Sequence, residues 1–384
     1  MEYMEEINKQ GVSIIIGARN EFPQIVLTVT NIINDLELSG ITKYEMIIAD
    51  NGSTDETSTF WGYRHSNTSP SGLEVAQRGL LSEGILKIIY DPVLSNVGAR
   101  TKAVKTAKYE NIIFADAHMI VSPYATKYTL ETLNKFGGIV HAPVAWAGAS
   151  VKHPHPGIQY TVKIGEKWWN TWNYAVVNNK KPFYVPGGGH CWLGVKKEEF
   201  TRFRGYHTAF RVYGGGEPYL DLKWWLLGSN VMVDPRITIY HLSAGRGYFW
   251  DQADLIHNQM LCSYTTAGEK WSERLLIAYL NKPGTDHDYI KKLYSEALTE
   301  GKEDREWILG NQKFDINTIL GLVGDPECTK KDCKHPHVLR IWDIKNEKLH
   351  KNHLSYVALF DDWLQRLTDP EAKEFYTKSP NQKS

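Results

Sequence analysis

Ile112-Ile113-Phe114-Ala115-Asp116-Ala117-His118 sets four apolar residues in a row directly before a carboxylate and an imidazole. An uninterrupted apolar run of this length predicts a strand buried on both faces, as in mostly parallel sheets. Such sheets carry their chemistry just past the carboxyl ends of their strands, where Asp116 and His118 fall. Two positions apart in an extended segment, both side chains point the same way and can share one cation. A hard oxygen beside a borderline nitrogen suits Mn²⁺ or Mg²⁺. Asp-x-His is also ordinary loop sequence, so the neighbouring segments decide between the two.

Those segments repeat one plan. Val12 to Ile16 is a β-branched run that breaks at Gly17-Ala18-Arg19-Asn20-Glu21. After Pro23, apolar residues at Ile25, Val26, Val29, Ile32, Ile33 and Leu36 take helical spacing, and Gly40 closes the helix. Tyr44 to Ala49 is a second strand, running into Asp50-Asn51-Gly52-Ser53-Thr54-Asp55. There Asp50 either accepts from a nucleoside or caps a turn with Ser53. Ile85 to Tyr90 is a third strand, followed by Ser95-Asn96-Val97-Gly98-Ala99-Arg100-Thr101-Lys102, a helix start with two cations. Free N–H groups at such a start bind phosphate, and Arg100 and Lys102 can add charge; cations there are otherwise simply solvated. Strands alternating with helices, with polar residues at each strand end, predict an α/β nucleotide-binding half.

The middle of the chain changes style. Ile139 to Val144 reads as one strand, and then Trp168, Trp169, Trp172 and Tyr174 mix with Lys163, Lys167, Lys180 and Lys181. That mixture either stacks an acceptor ring or covers a loop. Val185-Pro186-Gly187-Gly188-Gly189-His190 permits close backbone approach to a ligand, because it lacks obstructing side chains. Tyr213-Gly214-Gly215-Gly216 leads into a helix with Glu217 in its first turn and Asp221 four residues on, on the same face. Asn230 to Val233 and Ile237 to Tyr240 are strands, and His241 at the end of the second is a candidate third metal ligand.

Bulk properties bound the function. With 44 basic and 44 acidic residues the formal net charge is zero, so no global field draws the chain to nucleic acid. The acidic start Met1-Glu2-Tyr3-Met4-Glu5-Glu6 is not a signal peptide, and no apolar run has membrane-spanning length. Four scattered cysteines do not form a disulfide framework. These features predict a cytoplasmic protein without integral membrane association. Trp271 to Leu280 and Tyr289 to Leu298 are helical, within an α-rich region over 256–384. Cys328, Cys333, His335 and His337 fall within ten positions there and offer a possible small Zn²⁺ site of no standard spacing.

Taken together the segments resemble the GT-A fold glycosyltransferases, specifically family 2 and the neighbouring polypeptide N-acetylgalactosaminyltransferases, over residues 11–250. Ser13 to Glu21 is similar to the family's opening strand and Asn-Glu loop. Asp50 to Asp55 resembles its uridine loop, with Asn51 in place of the second acid. Asn96 to Ala103 resembles the helix near the pyrophosphate, and Asp116-Ala117-His118 the Asp-x-His form of its metal motif. Gly187-Gly188, Tyr213-Gly-Gly-Gly216-Glu217 and His241 resemble the Gly-Gly, Trp-Gly-Gly-Glu and closing metal His elements, with Tyr213 where the family has Trp.

The resemblance implies an α/β GT-A fold in which a Rossmann-like sheet merges with an acceptor-binding part. Residues 1–130 form the nucleotide-sugar half, 131–255 the acceptor and metal-completing half, and 256–384 an accessory region. It implies a hexosyl- or pentosyltransferase using Mn²⁺ or Mg²⁺ and a UDP-sugar. Asp116, His118 and His241 would hold the metal. Ala18, Arg19, Glu21, Asp50, Asn51, Gly98, Arg100, Lys102, Asp116, Gly188 and Gly189 would hold the donor, and Glu217 and Asp221 would be catalytic. Glycan, protein and the hydroxymethylated bases of phage DNA are the acceptors considered. The other classes are a non-catalytic nucleotide-sugar-binding module and an NAD-linked enzyme. The second needs Gly-x-Gly-x-x-Gly after the first strand, which Gly17-Ala18-Arg19 does not supply.

Overall fold

A computed structural model describes residues 2–61, 84–92, 95–147, 158–164, 170–175, 182–185, 187–242, 249–314 and 316. After helix α1 (Glu2–Gln10), the chain alternates β1 (Val12–Ala18), α2 (Gln24–Leu38), β2 (Tyr44–Asp50), β3 (Leu86–Tyr90), α3 (Asn96–Thr106) and β4 (Asn111–Asp116). Then come β5 (Met119–Val121), α4 (Ala125–Phe136), β6 (Ile139–His141), β7 (Val144–Ala147), the hairpin β8 (Ile158–Ile164) and β9 (Asn170–Ala175), β10 (Phe183–Tyr184) and β11 (Trp192–Lys196). Helices α5 (Lys197–Arg202) and α6 (Gly216–Leu226), strands β12 (Val231–Val233) and β13 (Ile239–Leu242), and helices α7 (Gln252–Ala267), α8 (Glu269–Leu280) and α9 (His287–Asn311) complete it.

Eight strands form one sheet in the order β10-β12-β6-β11-β4-β1-β2-β3. β1, β2, β3 and β4 are mutually parallel, whereas β11 runs antiparallel to β4 and β6. Their continuous apolar runs divide by strand alternation between two cores. Ile15, Ile47, Ile112 and Phe114 face the core shared with α3, α6 and α7. Ile14, Ile16, Met46, Ile48 and Ile113 face the one covered by Ile25, Val29, Ile32 and Leu36 of α2. Burial on both faces is why these strands read as unbroken apolar blocks rather than alternating ones.

Register then lines up the strand ends: Ala18 lies opposite Asp50, and Gly17 opposite Asp116. The predicted strand Ile139 to Val144 is two strands. Pro143 lacks a ladder N–H, and the chain changes sheets there. β6 stays in the large sheet, while β7 joins β5 and β13 in a sheet of three. His241 lies within β13 rather than past its end, opposite Met119. α9 is far longer than the predicted Tyr289 to Leu298, starting at the Asp286 side chain, which accepts from the Tyr289 N–H. Helix α7 was not read from its pattern, although Asp251 caps its start and Gly268, at φ 96°, ends it. Among the described residues no helix is long and apolar enough to cross a membrane. The possible Zn²⁺ ligands Cys328, Cys333, His335 and His337, and Trp168 and Trp169, lie outside the described residues.

Candidate active site

Three elements bring the predicted metal ligands together. Asp116 ends β4, His118 follows two residues later, and β13 hydrogen-bonds alongside, with the Leu242 N–H donating to the His118 carbonyl at 2.9 Å. His118 Nε2 and His241 Nε2 face one another at 3.1 Å, and His241 Nε2 is 3.7 Å from Asp116 Oδ2. One ligand atom from each residue falls within 4.8 Å of the others, and all three side chains are half-buried. Two imidazole nitrogens and one carboxylate oxygen facing a common point fit a divalent transition metal.

Glu21, expected at the nucleoside, has its carboxylate 2.8 Å from His118 Nδ1. The acceptor behind the ring fixes the tautomer and turns Nε2 toward the ligand cluster, the usual support for a metal-binding histidine.

Arg100, expected at a diphosphate, is only 2% exposed. Position Arg100 faces the sheet from α3, so its guanidinium goes under Asp116, donating to Oδ1 at 2.5 Å, to the Ala115 carbonyl at 3.3 Å and to the His190 carbonyl at 2.9 Å. Burial works to raise the Asp116 carboxyl, but the His241 hydrogen bond and the Arg100 and histidine charges hold it well below the usual range. Lys102 remains at the surface, paired with Asp91 at 3.0 Å.

The remaining donor-side residues serve the loops. Asp50 is fully buried; Oδ1 accepts from the Ser53 N–H at 2.8 Å and Oδ2 from the Ser58 hydroxyl, so it closes the turn after β2. Asn51 donates to the Asp91 carbonyl at 3.2 Å and its N–H to the Ala18 carbonyl at 2.8 Å, linking the ends of β1 and β3. Gly98 donates to the Ser95 Oγ at 3.1 Å, which caps α3. Arg19 follows β1 at the same sheet edge, half-buried.

Behind the glycine loop lies a buried lattice. Gly188 N–H donates to Asp221 Oδ2 at 2.9 Å. His141 Nε2 is 2.9 Å from Asp221 Oδ1 and its Nδ1 is 3.2 Å from the Gly189 carbonyl. His190 Nε2 is 3.4 Å from the same Asp221 oxygen, and its Nδ1 accepts from the Tyr206 hydroxyl at 2.7 Å. Burial, opposed by Asp221, pushes the His190 imidazole down, which keeps it neutral. Asp221 is pulled to about 2: burial opposes the change, and His141 and His190 outweigh it. These three residues also place ligand atoms within 4.8 Å of one another, but each atom is already hydrogen-bonded within the lattice. A β-carbon at Gly188 would come 2.4 Å from the His141 ring, so the loop lies flat on the lattice only as glycine.

Glu217 begins α6 from this lattice. Oε1 accepts the His190 N–H at 3.1 Å. Burial, with the Asp116 and Asp221 charges, raises its carboxyl to about 7, against the His190 hydrogen bond. Asp116 and Glu217 are therefore connected through Arg100 and the two peptide groups of His190. Sequence reasoning missed His141, His190 and Tyr206. The signal for His190 was its place directly after three glycines; that for His141 was hidden inside a run read as one strand.

No protein-family model matches the sequence, and no curated protein matches it. Among solved structures the chain is similar to GalNAc-T7 crystallised with UDP, GalNAc and Mn²⁺, at 14% identity and a TM-score of 0.53 over 77% of this chain and 57% of that one. The chain thus spans little more than half the length of GalNAc-T7. It also aligns with S. aureus TarS, at 12% identity and a TM-score of 0.42 over 91% of this chain and 55% of that one. Against TarS 1–349 with UDP the identity is 11% and the TM-score 0.41, over 92% and 91% of the two chains. The GalNAc-T7 superposition and the sheet order described above carry the assignment: this chain has the fold of the GT-A glycosyltransferases.

Proposed function

We propose that the protein is a metal-dependent glycosyltransferase that moves a sugar from a nucleotide sugar, a UDP-sugar in our reading, to a hydroxyl acceptor. One observation carries it: Asp116, His118 and His241 converge at the carboxyl edge of the sheet, with Glu217 tied to the same cluster through His190 and Arg100. That GalNAc-T7 was crystallised with UDP, GalNAc and Mn²⁺ supports both donor and metal.

In this reading Asp116, His118 and His241 hold a divalent cation, with Glu21 orienting His118. A bound cation supplies charge stabilisation for the diphosphate as it leaves the sugar carbon. Lys102, at the exposed rim, adds a further positive charge. The glycine loop, kept flat by Asp221 and His141, lets the donor sugar approach the backbone. Asp221 thus acts from beneath the loop, and Glu217 alone is the proton acceptor. A carboxyl at about 7 is ionised in half the molecules at neutral pH and can take the acceptor hydroxyl's proton as the new glycosidic bond forms.

The test is nucleotide release from a panel of nucleotide sugars with Mn²⁺, with Mg²⁺ and with chelator, alongside Asp116→Ala and Glu217→Gln. UDP release that needs metal and disappears in Asp116→Ala is expected. Metal-dependent donor binding without turnover by any member of the panel, with or without hydroxyl acceptors, would instead establish a binding module.

A further inference from the structure

The helices after β13 follow residues 11–250, the stretch whose sequence motifs resemble the glycosyltransferases, and one of them grips the loop leading into Glu217. Residues 211–216 approach α6 in a conformation that few side chains allow, with Gly214 at φ 89° and Gly215 at φ 75°. Such a segment leaves its peptide groups without partners in any helix or sheet ladder. Asn258 of α7 supplies them. Its two amide N–H bonds are shared among the carbonyls of Arg211, Tyr213 and Gly214, with Nδ2 at 3.2, 2.9 and 3.1 Å, and its oxygen accepts the Arg211 N–H at 2.9 Å. One fully buried side chain therefore satisfies four backbone groups of the loop. Asp254, one turn earlier on α7, accepts the Val212 N–H. A β-carbon at Gly215 would meet the Asn258 carbonyl oxygen at 2.7 Å, so loop and helix backbones are in direct contact.

The helix is itself held in place from behind. His257 Nδ1 lies 3.2 Å from Asn258 Oδ1, and its Nε2 lies 3.0 Å from a Glu300 carboxylate oxygen of α9. Arg211 reaches the same helix through Glu296 at 2.8 Å. A β-carbon at Gly301 of α9 would press within 3.0 Å of Leu261, Thr265 and Tyr264 of α7, so the two helices pack at a separation that only glycine permits. Position thus passes from α9 to α7, from α7 through Asn258 to the loop, and from the loop to the first turn of α6.

We propose that Asn258 is a positioning residue for Glu217, and that α7 and α9 are a brace which aims this carboxylate rather than an appendage. The inference rests on the reading of Glu217 as proton acceptor. A carboxylate displaced by about 1 Å loses on the order of a hundredfold in turnover, while UDP binding, which in the same reading runs through Asp116, His118 and His241, is spared.

The experiment compares Asn258→Ala, Asn258→Asp, Glu217→Gln and Leu275→Ala in the full chain. Leu275 is buried in α8 and serves as a control destabilised by packing alone. Turnover, the dissociation constant for UDP with Mn²⁺, the melting temperature and amide hydrogen exchange over 211–217 are read for each. Asn258→Ala is expected to lower kcat tenfold to a hundredfold, to change UDP binding less than twofold, and to speed exchange over 211–217. Asn258→Asp keeps the acceptor for Arg211 but loses the donors, so it fails in the same way. Leu275→Ala lowers the melting temperature and leaves kcat and loop exchange alone. A wild-type kcat and unchanged loop exchange in Asn258→Ala would overturn the proposal, as would an equal kcat loss in Leu275→Ala at matched destabilisation. Should Glu217→Gln keep full turnover, the reading of Glu217 fails instead. Loop exchange in Asn258→Ala then still decides whether the brace exists.

Discussion

Arg100 and Asp116 form a half-buried ion pair at 2.5 Å, the arginine 3% and the aspartate 23% exposed at their side chains. The guanidinium also holds the His190 carbonyl, so the arginine shapes both Asp116 and the loop that meets Glu217. Removing one member of such a pair strands the other. Arg100→Met is expected to cost about 3 kcal/mol in denaturant unfolding. Arg100→Lys keeps the charge but cannot span Asp116 and His190 together, so it folds and loses turnover.

Glu21 lies behind His118 rather than in contact with solvent alone. Glu21→Gln keeps the shape but removes the charge that orients the imidazole. Calorimetric titration with Mn²⁺ and UDP is expected to show a tenfold to hundredfold weaker metal affinity with an unchanged melting temperature for the metal-free protein.

The Glu217 carboxyl is raised to about 7 chiefly by burial, and in the proposed function it acts when ionised. Its proton is gained as pH falls, so kcat/KM should drop below about pH 7, approaching tenfold per unit. A pH profile of the wild type against Glu217→Gln checks this: the substituted enzyme has low activity and no inflection near 7.

Gly188→Ala places a methyl group 2.4 Å from a histidine ring that is fully buried and cannot retreat. Overpacking of this kind costs about 1–3 kcal/mol. The loop must also rise off Asp221, so nucleotide-sugar turnover should fall by more than the stability loss accounts for, as thermal melts and initial rates together will show.

Lys223 is fully buried between the Gly205 carbonyl at 2.5 Å and the Tyr219 hydroxyl at 2.6 Å, and burial lowers its ammonium to about 8. The folded state sheds this proton before the unfolded chain does, so stability contributed here rises with pH between about 8 and 10.5. Relative to Lys223→Met, the wild type should gain about 3 kcal/mol across that window in urea unfolding at successive pH values.

What could be read in advance follows from how each signal is encoded. β1, β2 and β4 are contiguous apolar blocks ending in polar residues, so the strands and the places of Asp50 and Asp116 are local information. The direction of Arg100 is not local: its spacing allows either a solvent or a sheet-facing position on α3, and only the folded sheet shows that Asp116 lies beneath it. His141 was lost because Pro143 splits an apolar run at a point where the run still looks continuous. Asn258 sits in a helix of weak amphipathicity, and its partners are 44 to 47 residues earlier in the chain, beyond any periodic pattern.

The change of sheet at Pro143 has a consequence for how the molecule assembles. Asp116 belongs to the large sheet and His241 to the small one, and His118 meets His241 across 123 residues of sequence. Closing so long a loop is costly in entropy, so Asp116, His118 and His241 are expected to come together late in folding, after both sheets. In the proposed function cation affinity is then expected of the finished chain and not of any fragment, and a bound ion at a hundred times its dissociation constant would stabilise that finished state by about 2.7 kcal/mol. Metal uptake during refolding should follow the recovery of sheet structure rather than accompany it, making the site a late reporter of native docking.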